Sequence, residues 1–438
     1  LTERSALATA AAIRAGETSA VAECDAAIAR IEAGDGAINA VVVRDFDRAR
    51  IAAADADRRV VAGDMSVFLG VPMTCKESFD IVGLPSTHGY AEHADFMPTQ
   101  DAAAVQRMKA AGAIILGKTN VPTGLVDIQS VNPVYGRTLN PHDPARVPGG
   151  SSGGSAAALA AGFVPLEMGS DIGGSIRTPA AFCGVWGHKA TFGALSKEGH
   201  ITPRTDRAPT LLSVIGPLAR DADDLAAALD VLSDLPLPRA TPRAADDWRI
   251  LLLPAHPLAP TAASISGAVE AVGAAFAKVG AKVDQTSAKL PDLTRQNGNY
   301  IRMLLTALAR GLPPAGGEAM KLNTWFELID EQIRCTRAWT ALFADYDAVI
   351  APCWGTNAFP HDDTPTAERI LAVDGVTTAF GLQFAYPGLA SFPNLPATSV
   401  PVGIDPDGLP IGLQVIANIY QDHTAIAVAR AAHRLIWS

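Results

Sequence analysis

The sequence predicts an α/β protein, on three observations. Short apolar runs of strand character alternate with longer stretches of helical periodicity, as when helices pack on a sheet. The chain has 438 residues, 48% of them hydrophobic and only 18% charged, so it can bury a large core. Its 38 glycines and 31 prolines call for many turns and close backbone approaches.

Helical patterns open the chain. Thr18 and Ser19 can cap a helix running to about Glu32, with Gly34 and Gly36 as stop signals. A second helix is predicted over Phe46–Val61. Residues 71–75 then read as a strand, 101–111 as a helix and 113–116 as a strand. Between 140 and 193 glycine and small residues dominate, yet Leu159, Phe163, Val164, Leu166 and Met168 are interleaved and want a core. Close backbone approach explains that mixture better than a slack linker does. A helix over 221–232 carries Asp221, Asp223 and Asp224 at its positive end. Residues 236–242 look like a connector and are the best candidate for a boundary. Beyond it, strands are predicted at 248–253, 281–283, 347–350, 398–402 and 411–416. Helices are predicted at 262–279, 302–310, 321–343 and 424–435.

Composition excludes several classes. A formal net charge of −10, from 45 acidic and 35 basic side chains, argues against binding a nucleic-acid backbone. Cys24, Cys75, Cys183, Cys335 and Cys353 are scattered, with no Cys-x-x-Cys pair, which fits a reducing, cytoplasmic setting. No apolar run approaches the roughly 18 residues of a membrane span. The segment 1–14 lacks the apolar core of a signal peptide; as the chain does not begin with Met, a removed leader stays open.

Two Ser/Gly clusters carry the strongest chemical signal. They are Pro148-Gly149-Gly150-Ser151-Ser152-Gly153-Gly154-Ser155 and Gly169-Ser170-Asp171-Ile172-Gly173-Gly174-Ser175-Ile176-Arg177, with a helix–strand pair between them. Glycines beside a serine let successive N–H groups converge on an anion, either a phosphate or the oxyanion of acyl transfer. No Lys follows either cluster as a P-loop requires, and no Gly-x-Gly-x-x-Gly opens a helix here. Acyl transfer therefore leads. A serine nucleophile needs a base. His88, His93, His142, His188 and His200 stand in no recognisable nucleophile–His arrangement. Lys76 ends the apolar run from Gly70 to Cys75, where lost hydration would lower its pKa toward a usable base; a strand-end lysine reaching solvent is the plainer alternative.

Gly70-Val71-Pro72, Lys76-Glu77, Gly117-Lys118-Thr119-Asn120, both Ser/Gly clusters, Phe182-Cys183-Gly184, Gly187-His188-Lys189 and the segment from Gly408 to Gln414 occur in this order. Together they resemble the amidase signature family, strongly over 66–235 and 390–435. The resemblance implies one large domain over 1–438, a mixed twisted sheet covered by helices on both faces. Its parts would be a signature core at 66–235, a variable substrate-pocket region at 236–390, and closing strands and helix at 391–438. It also implies a Ser–cis-Ser–Lys triad. Ser175 would attack the carbonyl, Ser151, after a cis Gly150–Ser151 bond, would relay the proton, and neutral Lys76 would be the base. The N–H groups of Ile172, Gly173, Gly174 and Ser175 would form the oxyanion hole. Such chemistry needs no cofactor or metal.

The remaining candidates read as structural. Asp171 and Arg177 are expected to form an ion pair, Ser152 and Ser155 to satisfy local hydrogen bonds, and Cys75 to be a buried thiol. His361-Asp362-Asp363 reads as a solvated loop. Trp325, Trp339, Phe380, Phe384 and Tyr386 could line a pocket or fill the core, and the core is the expected place for each. The segment 121–137 and Lys76-Glu77-Ser78-Phe79 look like fatty-acid amide hydrolases, which would put Leu125 on the acyl pocket. Ile172 stands where other members of the family commonly have Thr. The implied function is hydrolysis of a small amide with an apolar or aryl acyl group; carbamates and esters share the carbonyl chemistry. The implied partners are the small-molecule substrate and water, with neither nucleic acid nor membrane anchor. Two alternatives are the A-type subunit of a glutamine-dependent tRNA amidotransferase and a non-catalytic binding protein on the same fold.

Overall fold

The structure, a computed structural model, describes residues 4–313 and 318–437. Among them, eleven strands form one mixed sheet. In chain order they are β1 (Val41–Arg44), β2 (Pro72–Lys76), β3 (Ile114–Thr119), β4 (Leu166–Asp171), β5 (Trp186–Lys189), β6 (Val214–Ala219), β7 (Arg249–Leu252), β8 (Lys282–Asp284), β9 (Ala348–Pro352), β10 (Ala397–Ile404) and β11 (Pro410–Ile416). Across the sheet the order is β1-β3-β2-β4-β6-β5-β10-β11-β9-β7-β8. The β3/β2, β2/β4, β9/β7 and β7/β8 pairs are parallel, and the other pairs are antiparallel.

Side chains alternate across a strand, so each strand feeds two layers. Ile115 packs with one core cluster and its neighbours Ile114 and Leu116 with another. Likewise Ile250, Leu252 and Ile350 face the first layer, and Leu251, Val349 and Ala351 the opposite one. The first layer takes Leu225 and Leu229 from helix Ala222–Leu232, Val269 and Phe276 from Ala263–Lys278, and Ile426 from Asp422–Trp437. Opposite lie Ile28 and Ile31 of helix Ala20–Gly34, and Trp339 and Leu342 of Leu322–Leu342. Helices thus cover both faces. β10 and β11 lie between β5 and β9, which joins the two halves of the chain into one large domain. The connector at 236–242 is therefore a loop within that domain.

Local signals worked where capping chemistry is explicit. Ser19 Oγ accepts from the Ala22 N–H at 3.1 Å, and Asp221 caps its helix through the N–H groups of Asp223 and Asp224. The helix Phe46–Val61 has the predicted bounds. Helix Ala6–Arg14 and strands β1, β5 and β6 were not predicted. Every residue of β5 and β6 is buried, so apolar–polar alternation is missing. The helix predicted at 302–310 begins at Leu293, because Asn297 and Gly298 interrupt its apolar pattern.

Candidate active site

β2 and β4 run parallel as neighbours, so their C-terminal ends open on the same edge of the sheet. Lys76 is the last residue of β2, and Ser170 and Asp171 end β4. Ser175 follows in the turn before the helix Arg177–Cys183, while Ser151 and Ser152 precede the helix Gly153–Ala160. The structure brings these segments together around one amine. Lys76 Nζ lies 2.6 Å from Ser151 Oγ, 2.9 Å from Ser170 Oγ and 3.0 Å from Ser152 Oγ. A neutral amine has two N–H bonds and one lone pair. It can therefore donate to Ser152 and Ser170 while accepting the Ser151 proton.

The two loops are tied by the Ser152 N–H, which donates to the Ser175 carbonyl at 3.1 Å. The Gly150–Ser151 peptide bond is cis. A Cβ on Gly150 would run into the carbonyl oxygens of Asp127 and Gln129, so only glycine fits this approach. Ser155 Oγ is 2.9 Å from Thr119 Oγ1, a local contact as expected, but Ser152 reaches Lys76 as well.

Asp171 and Arg177 are both fully buried and paired at 2.9 Å. Burial alone would raise the Asp171 pKa; the Arg177 charge and its hydrogen bonds overcome that and hold the carboxyl at about 2. This carboxylate also shapes the turn, accepting from the N–H of Gly174 at 2.9 Å and of Ile176 at 3.1 Å. That corrects one expectation. The Gly174 N–H has a single proton, directed at Asp171, so Gly174 leaves the oxyanion set. The N–H groups of Ile172, Gly173 and Ser175 have no hydrogen-bond partner among the described residues. Gly174 instead supplies the positive φ of 97° that the turn needs. Tyr300, absent from the sequence candidates, donates its O–H to the Ile172 carbonyl at 3.0 Å.

Burial pushes the Lys76 pKa well below the ordinary lysine value; Asp171 pulls it up, and Lys197 pushes it further down. Burial raises Glu167 to about 7 against hydrogen bonds from Thr74 Oγ1 at 2.6 Å and the Met168 N–H at 2.9 Å. His88 and His200 are buried beside the site, and burial drives both pKa values down, His88 to about 3. His188 is held between Thr398 Oγ1 at 2.9 Å and Asp422 Oδ1 at 3.0 Å, away from the site.

Ser151, Ser170 and Ser175 line a cavity of about 250 Å³. Leu125 and Ile172 are on its apolar wall with Val126 and Leu308; Lys197 is also on the wall. A second cavity of about 490 Å³, lined by Leu211, Met320, Leu322 and Trp325, shares Ala208, Pro209, Thr210 and Arg310 with the first. Trp339, Phe380 and Tyr386 are buried in the core, while Phe384 packs on the Gly173 turn. Cys75 is a buried thiol whose pKa burial raises.

Comparison with known proteins now decides the family. The sequence model of the family described as Amidase matches residues 24–241 and 253–426. The chain belongs to the amidase signature family. This amidase is 32% identical to the indoleacetamide hydrolase of Bradyrhizobium diazoefficiens, over 98% of this chain and 88% of the relative. It is 31% identical to the A-type subunit of the glutamyl-tRNA(Gln) amidotransferase of Koribacter versatilis, over 98% of each. Among solved structures it is similar to a chain from an inhibitor-bound vestigial protein complex described as revealing the evolutionary origins of an s-triazine catabolic enzyme. That match has a TM-score of 0.82 at 29% identity, covering 99% of this chain and 98% of the other. The amidase is thus an amide-hydrolysing enzyme of this family, and no helix among its described residues is long and apolar enough to cross a membrane.

Proposed function

We propose that this amidase cleaves the C–N bond of a small acylamide through an acyl-enzyme on Ser175. The observation that carries this reading is the buried Lys76 Nζ 2.6 Å from Ser151 Oγ, with Ser151 and Ser175 on one cavity wall. Ser175 Oγ forms the bond to the carbonyl carbon. Its proton passes to Ser151 as Ser151 gives its own to neutral Lys76. The oxyanion is met by the N–H groups of Ile172, Gly173 and Ser175. As the tetrahedral intermediate collapses, the C–N bond breaks, and the Lys76 proton returns through Ser151 to the leaving nitrogen. Water then attacks the ester by the same relay and frees Ser175.

The apolar wall of Leu125, Val126, Ile172 and Leu308 favours an apolar or aryl portion in the substrate. Activated carbamates and esters present the same carbonyl and belong to the same reading. The thiols, none of them in a disulfide among the described residues, favour a reducing, cytoplasmic setting.

A panel of anilides, primary amides, carbamates and esters, run on wild type, Ser175→Ala, Ser151→Ala and Lys76→Ala, tests the proposal. Hydrolysis by wild type that Ser175→Ala abolishes is expected; full activity in Ser175→Ala would overturn it. The likeness to the A-type chain of an amidotransferase supports a second reading, release of ammonia from glutamine within a larger assembly. Activity of the isolated chain on the panel, without partner proteins, would count against that reading.

A further inference from the structure

The cavity beside Ser175 has a charge pattern that the acyl-transfer steps leave unused. Three cationic side chains, Lys197, Arg207 and Arg310, stand on its wall, and among the described residues no carboxylate does. The bias runs against the composition of the chain, in which acidic side chains outnumber basic ones 45 to 35.

The partners of these cations sharpen the point. Many arginines elsewhere are matched, as in Arg204 with Asp95 at 2.7 Å and Arg369 with Asp127 at 2.7 Å. Lys197 is half-buried and donates at 2.6 Å to a neutral oxygen, Ser213 Oγ, with no ion pair among the described residues. Arg310 donates only to the Ala208 carbonyl, at 3.3 Å, and Arg207 has no ion pair among the described residues. Withdrawing an ammonium from water without a counter-charge is unfavourable. Burial accordingly draws the Lys197 pKa down to about 8. An anion entering the cavity would supply the missing charge, and of the three cations the half-buried Lys197 would be the least screened by solvent.

We infer that the substrate is an acylamide that also carries an anionic group such as a carboxylate, held by Lys197 with Arg207 and Arg310. This rests on the amidohydrolase reading given above and narrows its substrate class. The apolar wall then receives the chain or ring that links the carboxylate to the scissile amide.

The test separates binding from turnover. Ser175→Ala protein is titrated calorimetrically with succinamate, glutaramate and 4-carboxyanilides, each beside a neutral match in which a carboxamide replaces the carboxylate. We expect the anionic member of at least one pair to bind about tenfold tighter or more. The preference should fall toward unity when Lys197→Met is added, persist with Lys197→Arg, weaken with Arg207→Gln or Arg310→Gln, and diminish as salt rises. The inference is overturned if the neutral members bind as tightly, if no anionic probe binds, or if the preference survives Lys197→Met combined with both arginine changes. Melting curves identify a variant that has failed to fold, and Lys197→Arg keeps the comparison decisive in that event. Turnover of the same pairs by wild type reads the other proposal. Anion-selective binding without release of amine or ammonia would refute the hydrolase and leave the anion site standing. Equal hydrolysis and equal binding of both members would do the reverse.

Discussion

Replacing Asp171 with Asn tests how the catalytic turn is held. The wild-type carboxylate accepts from Gly174 N–H at 2.9 Å, Ile176 N–H at 3.1 Å, and Arg177 Nη2 and Nε at 2.9 and 3.0 Å. An Asn side chain keeps one acceptor oxygen and turns the other position into a donor facing donors. Arg177, also fully buried, would then keep one contact to the Asn oxygen besides the Pro387 carbonyl, Gln414 and Ser391, none of them charged. Breaking one side of such a buried pair costs about 3–5 kcal/mol. At about 2.1 cal/mol/K per residue, a domain of this length has an unfolding entropy near 0.9 kcal/mol/K at its midpoint, so Tm should fall by roughly 3–5 °C. The turn bearing the Ile172, Gly173 and Ser175 N–H groups would lose its anchor, and misplacing one oxyanion donor costs about 10²–10³ in rate. Removing the Asp171 charge also disfavours the ammonium form of Lys76. The acid limb of kcat/KM for the residual activity should therefore move to lower pH. Scanning calorimetry and a pH–rate profile measure all three effects. A Tm within 1 °C of wild type together with unchanged kcat/KM would refute the account.

Four further outcomes are expected. In wild type, kcat/KM should rise with pH along an acid limb set by Lys76, since only the neutral amine accepts a proton and its pKa lies well below 10.5. The charged groups acting on Lys76 are Asp171, Glu167 and Lys197, so Lys197→Met, by removing a repelling charge, should move that limb up when read on a neutral substrate; a downward shift would contradict it. Glu167→Gln should alter the pH dependence of stability: with a folded pKa of about 7 against 4.5, wild type has the full contribution below 4.5 and loses it as pH rises through 7. Urea denaturation should show the variant gaining about 3 kcal/mol on wild type across that window. Tyr300→Phe removes the hydrogen bond to the Ile172 carbonyl, which is worth about 1 kcal/mol. It should lower kcat about fivefold with little change in Tm, and an equal loss in KM alone would show that Tyr300 does not hold the oxyanion turn.

Much of the fold was legible because local signals and the hydrophobic period agree there. The helix Phe46–Val61 and the capped helix at 222–232 follow from periodicity and an N-terminal acceptor. β5 and β6 escaped because both their faces are covered, which removes the alternation and admits residues such as His188 and Lys189 that look exposed in a sequence. The site shows the same division. Ser151, Ser175 and Lys76 stood out because a Ser/Gly cluster and a strand-end lysine are unusual contexts. Ser170 lay in the motif without a role, and neither Lys197 nor Tyr300 carried a signal. Tyr300 sits 128 residues from Ile172, in a helix whose first turns were missed.

The sequence by itself determined which residues are chemically capable: the two glycine-flanked serine clusters, the lysine after an apolar strand, and the excess of core over surface. Tertiary structure alone decided what each can do. Parallel pairing of β2 with β4 brings Lys76 to three serine hydroxyls, the Asp171 carboxylate engages the Gly174 N–H, and the 197–213 segment with the end of helix Leu293–Leu308 gathers cations around the cavity. The physical reason is that pKa, hydrogen-bond direction and field depend on neighbours and burial. Those neighbours lie scores of residues away along the chain, where only folding makes them adjacent.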